Sequence, residues 1–133
     1  MDSFFLYKQR GVIEMANIVV VDDALFMRVM LKNILEQAGH TVVGEAANGA
    51  EAIKEYTLKK PDIMLMDITM PVMDGLEGLR GLKVTEPDAK VIMCSAMGQK
   101  SMVIDALKYG AKDFIVKPFQ EERVLEAISK ALE

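Results

Sequence analysis

Apolar residues in this chain recur with two different periods, and the switches between them predict its elements. Ile18-Val19-Val20-Val21 is a β-branched run, which predicts a buried strand, and it ends in Asp22-Asp23. Met27, Met30, Leu31, Ile34, Leu35 and Ala38 follow at helical spacing, and Gly39 predicts the stop. A second strand is predicted over Thr41 to Ala46. Asn48-Gly49 then turns into a helix carrying Ala52, Ile53 and Tyr56. Ile63 to Met66 is apolar throughout, as in a strand covered on both faces, and Asp67 ends it. Asp74 predicts the cap of a helix running to Glu86, with Leu76, Leu79 and Leu82 inward. Gly75, Gly78 and Gly81 weaken that helix by about 1 kcal/mol for each interior glycine, so it is expected to be the least stable one. Val91 to Cys94 predicts a fourth strand ending in Ser95, and Gln99 to Tyr109 a helix stopped by Gly110. Phe114-Ile115-Val116 predicts a fifth strand ending in Lys117-Pro118. Val124, Leu125, Ile128, Ala131 and Leu132 mark one face of the last helix. Strict alternation of five strands and five helices predicts an α/β fold, a doubly wound parallel sheet with helices on both faces.

Composition narrows the function classes. Hydrophobic residues make up 51% and charged residues 27% of 133, as in an ordinary single globular domain. A net charge of −4 argues against a broad nucleic-acid footprint. No run approaches the roughly 18 apolar residues of a membrane span. One cysteine, Cys94, rules out an internal disulfide and makes a reducing, cytoplasmic setting the expectation. His40 has no histidine partner, so a metal role for it is not expected. Residues 1–15 do not match the pattern that follows. They read as an N-terminal extension with an aromatic cluster at Phe4-Phe5-Leu6-Tyr7, and Met15 is an alternative start. The body is expected to span residues 16–133.

Four predicted strands end in polar residues: Asp22-Asp23, Asp67, Ser95 and Lys117. Singly, each could merely cap a helix or close a strand. In a parallel sheet, however, all these ends lie at one edge, where open α/β sheets place their chemistry. Three acids crowded together repel one another unless a cation sits among them. Oxygen ligands of this kind suit Mg²⁺ before Ca²⁺. An ammonium and a hydroxyl beside them could hold an anion's oxygens. A carboxylate nucleophile with these neighbours describes phosphoryl capture as an aspartyl phosphate.

Asp22-Asp23, Asp67 with Met70-Pro71, Cys94-Ser95-Ala96 and Lys117-Pro118-Phe119 together resemble the receiver domain of two-component response regulators. The resemblance spans about residues 16–133. It is closest to single-domain chemotaxis members, through Ala24 to Arg28, Cys94 to Gln99 and Lys112 to Phe119. It implies a flavodoxin-like (βα)5 fold with strand order 2-1-3-4-5. It implies that Asp67 is the phosphoacceptor, that Asp23 and Asp67 ligate Mg²⁺ directly, that Asp22 acts through water, and that the Thr69 carbonyl completes the set. Lys117 would pair with the phosphoryl group and Ser95 would donate a hydrogen bond to it. Phe114 would be the aromatic switch, and Lys117-Pro118 would be cis. The implied partners are a CheA-type histidine kinase, the flagellar motor switch protein and a phosphatase, with no nucleic acid or membrane, the chain acting as a monomer and not as a conventional enzyme. Lys100, Lys108, Lys112 and Arg123 would lend positive charge to the docking face.

Two departures stand out. Phe114 lacks the hydroxyl that many relatives carry as tyrosine, so packing alone must favour its inward rotamer. Met97, apolar and two residues after Ser95, is expected to shield an acyl phosphate and slow its hydrolysis. A stand-alone receiver of a sporulation or other phosphorelay is the alternative. An aspartate-dependent phosphatase of the haloacid dehalogenase type fits less well. That family places its nucleophile at the end of the first strand with a second acid two residues later, and residue 24 here is Ala.

Overall fold

The computed structural model describes residues 15–133, and the expected extension with its Phe4–Tyr7 cluster lies almost wholly outside them. Five strands, β1 (Asn17–Val21), β2 (Thr41–Ala46), β3 (Ile63–Asp67), β4 (Val91–Ser95) and β5 (Asp113–Val116), alternate with five helices. These are α1 (Leu25–Gln37), α2 (Gly49–Lys59), α3 (Gly75–Thr85), α4 (Lys100–Lys108) and α5 (Glu121–Leu132). All pairings are parallel, in the order β2-β1-β3-β4-β5. This is the flavodoxin-like (βα)5 arrangement that the resemblance implied.

Strand side chains alternate between two cores, as the pleat requires. Val19, Val21, Met64, Met66, Val91 and Met93 face Ala52 and Tyr56 of α2, Leu79 and Leu82 of α3, and Val103 and Ala106 of α4. Ile18, Val20, Ile63, Leu65, Ile92 and Cys94 face Leu31 and Leu35 of α1 and Val124, Ala127 and Ile128 of α5. The central strands β3 and β4 are buried at every position. Removing one side chain from such a layer, as in Leu65→Ala, costs about 2–5 kcal/mol.

The stripe predicted for α1 is narrower than its sequence suggests. Leu31, Leu35 and Ala38 are buried, whereas Met27, Met30 and Ile34 are only half-buried, because β2 at the sheet edge covers less of that helix than a central strand would. Asp74 caps α3 as predicted. It accepts from the Glu77 amide at 2.8 Å while the Glu77 side chain reaches back to the Asp74 amide. Burial pushes the Cys94 thiol upward, so it behaves as a small apolar residue. His40 is also a core group: its Nδ1 accepts the Ala16 amide at 3.1 Å. Among the described residues no helix is long and apolar enough to cross a membrane.

Candidate functional site

Parallel pairing brings the carboxyl ends of β1 and β3 side by side. Asp22, Asp23 and Asp67 each offer a carboxylate oxygen within 4.8 Å of the others. Asp22 is 1% exposed and Asp67 6%, while Asp23 is open to solvent. Asp22 is held from four sides. Its Oδ1 accepts the Ala24 amide at 2.9 Å and its Oδ2 the Lys117 ammonium at 2.7 Å. Its own amide donates to the Ala46 carbonyl, and its carbonyl accepts from Arg28 at 2.7 Å.

Lys117 reaches this cluster from the turn after β5, and the Lys117-Pro118 bond is cis. Its Nζ also stands 3.3 Å from Asp67 Oδ2, so one ammonium serves two carboxylates on two strands. Burial raises the Asp67 carboxyl above its ordinary value; the pull of Lys117 opposes this, and the charges of Asp22 and Asp23 add to it. Burial alone would lower Lys117, but its hydrogen bond to Asp22 and the charge of Asp67 outweigh it and raise the ammonium. Three carboxylates face one ammonium, so the cluster stays net negative. Hard oxygen donors with unbalanced negative charge fit a divalent cation of the Mg²⁺ type.

Ser95 ends β4 beside this group. Asp67 pairs in register with Cys94, and Ser95 is 2% exposed. Thr69 is exposed at the loop after β3. Phe114, half-buried on β5, packs against the core of α2, α3 and α4. With Met97, Val116, Pro118 and Arg123 it also lines a groove of about 340 Å³. Arg123 is not a free cation on that face: it donates to Asp113 at 2.8 Å and to the Phe114 carbonyl at 2.7 Å. Lys100, Lys108 and Lys112 are exposed. Met97 is 81% exposed and lines the same groove.

The model of the response regulator receiver domain matches residues 18–129. The chain belongs to that family. This receiver domain is 62% identical over 117 residues to the chemotaxis protein CheY of Listeria monocytogenes, covering 88% of this chain and 98% of the relative. It is 60% identical to CheY of Bacillus subtilis, covering 86% and 96%. The sporulation initiation phosphotransferase F of Bacillus subtilis is 33% identical, with 86% and 92% covered. Among solved structures, the CheX–CheY–BeF3–Mg²⁺ complex from Borrelia burgdorferi aligns with a TM-score of 0.85 at 36% identity, covering 94% of each chain.

Arg28 and Gln99 fall within the stretches that carry the resemblance, but the sequence alone assigns them no role. Arg28 supports the Asp22 carbonyl and pairs with Glu45 at 3.0 Å. Gln99 joins the loops after β3 and β4: its Nε2 donates to Thr69 Oγ1 at 2.7 Å, and its Oε1 accepts the Ala96 amide at 2.8 Å. Beyond that resemblance, the hint in the sequence for Gln99 is a long amide at a helix start, where a short capping residue is the common choice.

Proposed function

We propose that this receiver domain takes a phosphoryl group from a CheA-type histidine kinase onto Asp67 and passes the signal to the flagellar motor switch protein. The observation that carries the reading is the shared Lys117 ammonium, 2.7 Å from Asp22 and 3.3 Å from Asp67 at the edge of an acidic cluster. An Asp67 oxygen attacks the phosphorus of phosphohistidine, the phosphorus–nitrogen bond breaks, and its electron pair returns to the imidazole. Lys117 orients the incoming group and balances its charge. Asp23 and Asp67 would hold Mg²⁺ directly, with Asp22 through water and the Thr69 carbonyl completing the set. That ion supplies charge neutralisation at the transferring oxygens. The chain is a switch that catalyses only its own phosphorylation and dephosphorylation.

The added group brings roughly −2 charge and new acceptor oxygens. Ser95 moves in to donate to it, and Phe114 rotates inward into the vacated space. The surface of α4, β5 and α5 repacks, biasing a two-state element. The groove beside Phe114 supports this face as the docking site of an amphipathic partner segment. A phosphatase that resets the switch is a further partner, and the cytoplasm is the proposed setting.

The test is incubation with acetyl phosphate and Mg²⁺ followed by intact mass. Wild type gains one phosphoryl group and Asp67→Asn gains none; labelling of both variants, or of neither, overturns the reading. A place in a sporulation-type phosphorelay is the second reading, favoured by the 33% identity to the phosphotransferase. Capture by a motor switch peptide and not by a phosphotransferase decides for chemotaxis.

A further inference from the structure

Gln99 occupies the N-cap position of α4 but makes no side-chain hydrogen bond to that helix. A short polar cap there would satisfy one of the first-turn amides. Its amide head is spent elsewhere. It spans from Thr69, in the loop that follows Asp67, to the Ala96 amide, in the loop that follows Ser95. Gly98, at φ +87° with open space around it, supplies the left-handed turn that folds Gln99 back onto Ala96.

The Ala96 nitrogen belongs to the same peptide unit as the Ser95 carbonyl, which accepts the Lys117 amide at 2.8 Å. A backbone shift of Ser95 toward Asp67 carries the Ala96 N–H with it and strains the Gln99 bond. The Thr69 end of the strap is anchored on the neighbouring loop. Ile68, just before Thr69, is itself tied down: its amide donates to Cys94 and its carbonyl accepts the Gly75 amide. One end of the strap is thus fixed on the loop after β3, while the other sits at the end of β4, on the peptide unit that a closing loop would have to pull from its place beside Lys117.

We infer that Gln99 is a positioning residue: a latch that holds the Ser95 loop in its resting arrangement and opposes closure on an anion at Asp67. The inference rests on the phosphoacceptor reading. Removing the latch lowers the cost of closure, so a phosphoryl mimic binds more tightly although Gln99 never touches it. The two bonds form one unit, so their losses are not additive.

The experiment titrates the protein with beryllofluoride in saturating Mg²⁺, following the Ala96 and Gly98 amide resonances. Gln99→Met keeps the side chain's length and removes both hydrogen bonds. Thr69→Val removes one bond and keeps the backbone carbonyl. Gln99→Met is expected to lower the half-saturating concentration about 3- to 10-fold, in line with loss of one or two ordinary hydrogen bonds. Thr69→Val should give a smaller change in the same direction, and the double variant should match Gln99→Met alone. Unchanged or weaker binding in Gln99→Met, or full additivity in the double variant, overturns the latch. Wild type that shows no response to beryllofluoride, while Asp67 is still labelled by acetyl phosphate, also overturns it. Failure in both assays overturns the phosphoacceptor reading itself.

Discussion

Gly75 lays its bare α-carbon against the backbone carbonyl of Asp67, so close that a β-carbon could not fit between them. The Gly75 amide donates to the Ile68 carbonyl at 2.7 Å, which clamps the start of α3 onto the end of β3. The glycines of α3 cost helix propensity, but two of them let this helix approach the site and its neighbour. Gly78 leaves room for the Gly49 α-carbon of α2.

Gly75→Ala should therefore destabilise the fold by about 2–3 kcal/mol, the range for overpacking against a fixed backbone. It should also slow labelling of Asp67 by acetyl phosphate. Gly81→Ala meets only the flexible tip of Ile53. Its gain in helix propensity, about 1 kcal/mol, offsets that contact and leaves it neutral or slightly more stable. Urea unfolding of the two variants beside wild type checks the contrast, and equal losses would refute it.

Mg²⁺ should raise the melting temperature by mass action. At tenfold excess over its Kd the gain is about 1.4 kcal/mol, or roughly 3–6 °C for a domain of this size. EDTA should reverse it. Asp23→Asn should abolish most of it, because Asp23 is the exposed acid of the cluster and the other two are engaged by Lys117. Thermal scans with and without the ion measure this; the same shift in Asp23→Asn would remove Asp23 from the ligand set.

His40 makes stability fall in mild acid. Burial lowers its folded pKa below the ordinary 6.5, and Nδ1 must stay unprotonated to accept the Ala16 amide. The unfolded chain therefore binds the proton first. The contribution of His40 is whole above pH 6.5 and is lost as pH falls through that value toward the lower folded one. Each pH unit in that window costs up to about 1.4 kcal/mol. Denaturant unfolding at pH 7 and pH 5 should show a smaller loss for His40→Gln than for wild type.

Lys117→Met should leave Asp22 buried and unpaired beside Asp67. Lys117 is partly exposed, so the expected loss in the metal-free protein is about 2 kcal/mol, below that of a fully buried pair. Mg²⁺ should restore much of this stability but not the labelling of Asp67. Melting curves and intact mass read the two effects separately, and undiminished labelling would take Lys117 out of the proposed chemistry.

Local pattern was enough for the five strands, the five helices and the gathering of Asp22, Asp23, Asp67, Ser95 and Lys117 at one edge. Periodicity is a property of neighbouring residues, and parallel strands joined by helices all end on the same side. Element ends such as Lys100 in place of Gln99 shifted by a residue, because caps answer to side-chain direction as well as propensity. Tertiary structure alone decided that Lys117 reaches Asp22, 95 residues away, as well as Asp67. It alone turned Gln99 from a helix start into a strap, turned Arg123 inward to Phe114, and gave Gly75 a reason to lack a side chain. These are encounters between residues far apart in the chain, and their partners come into reach only once the sheet has set the distances between the loops.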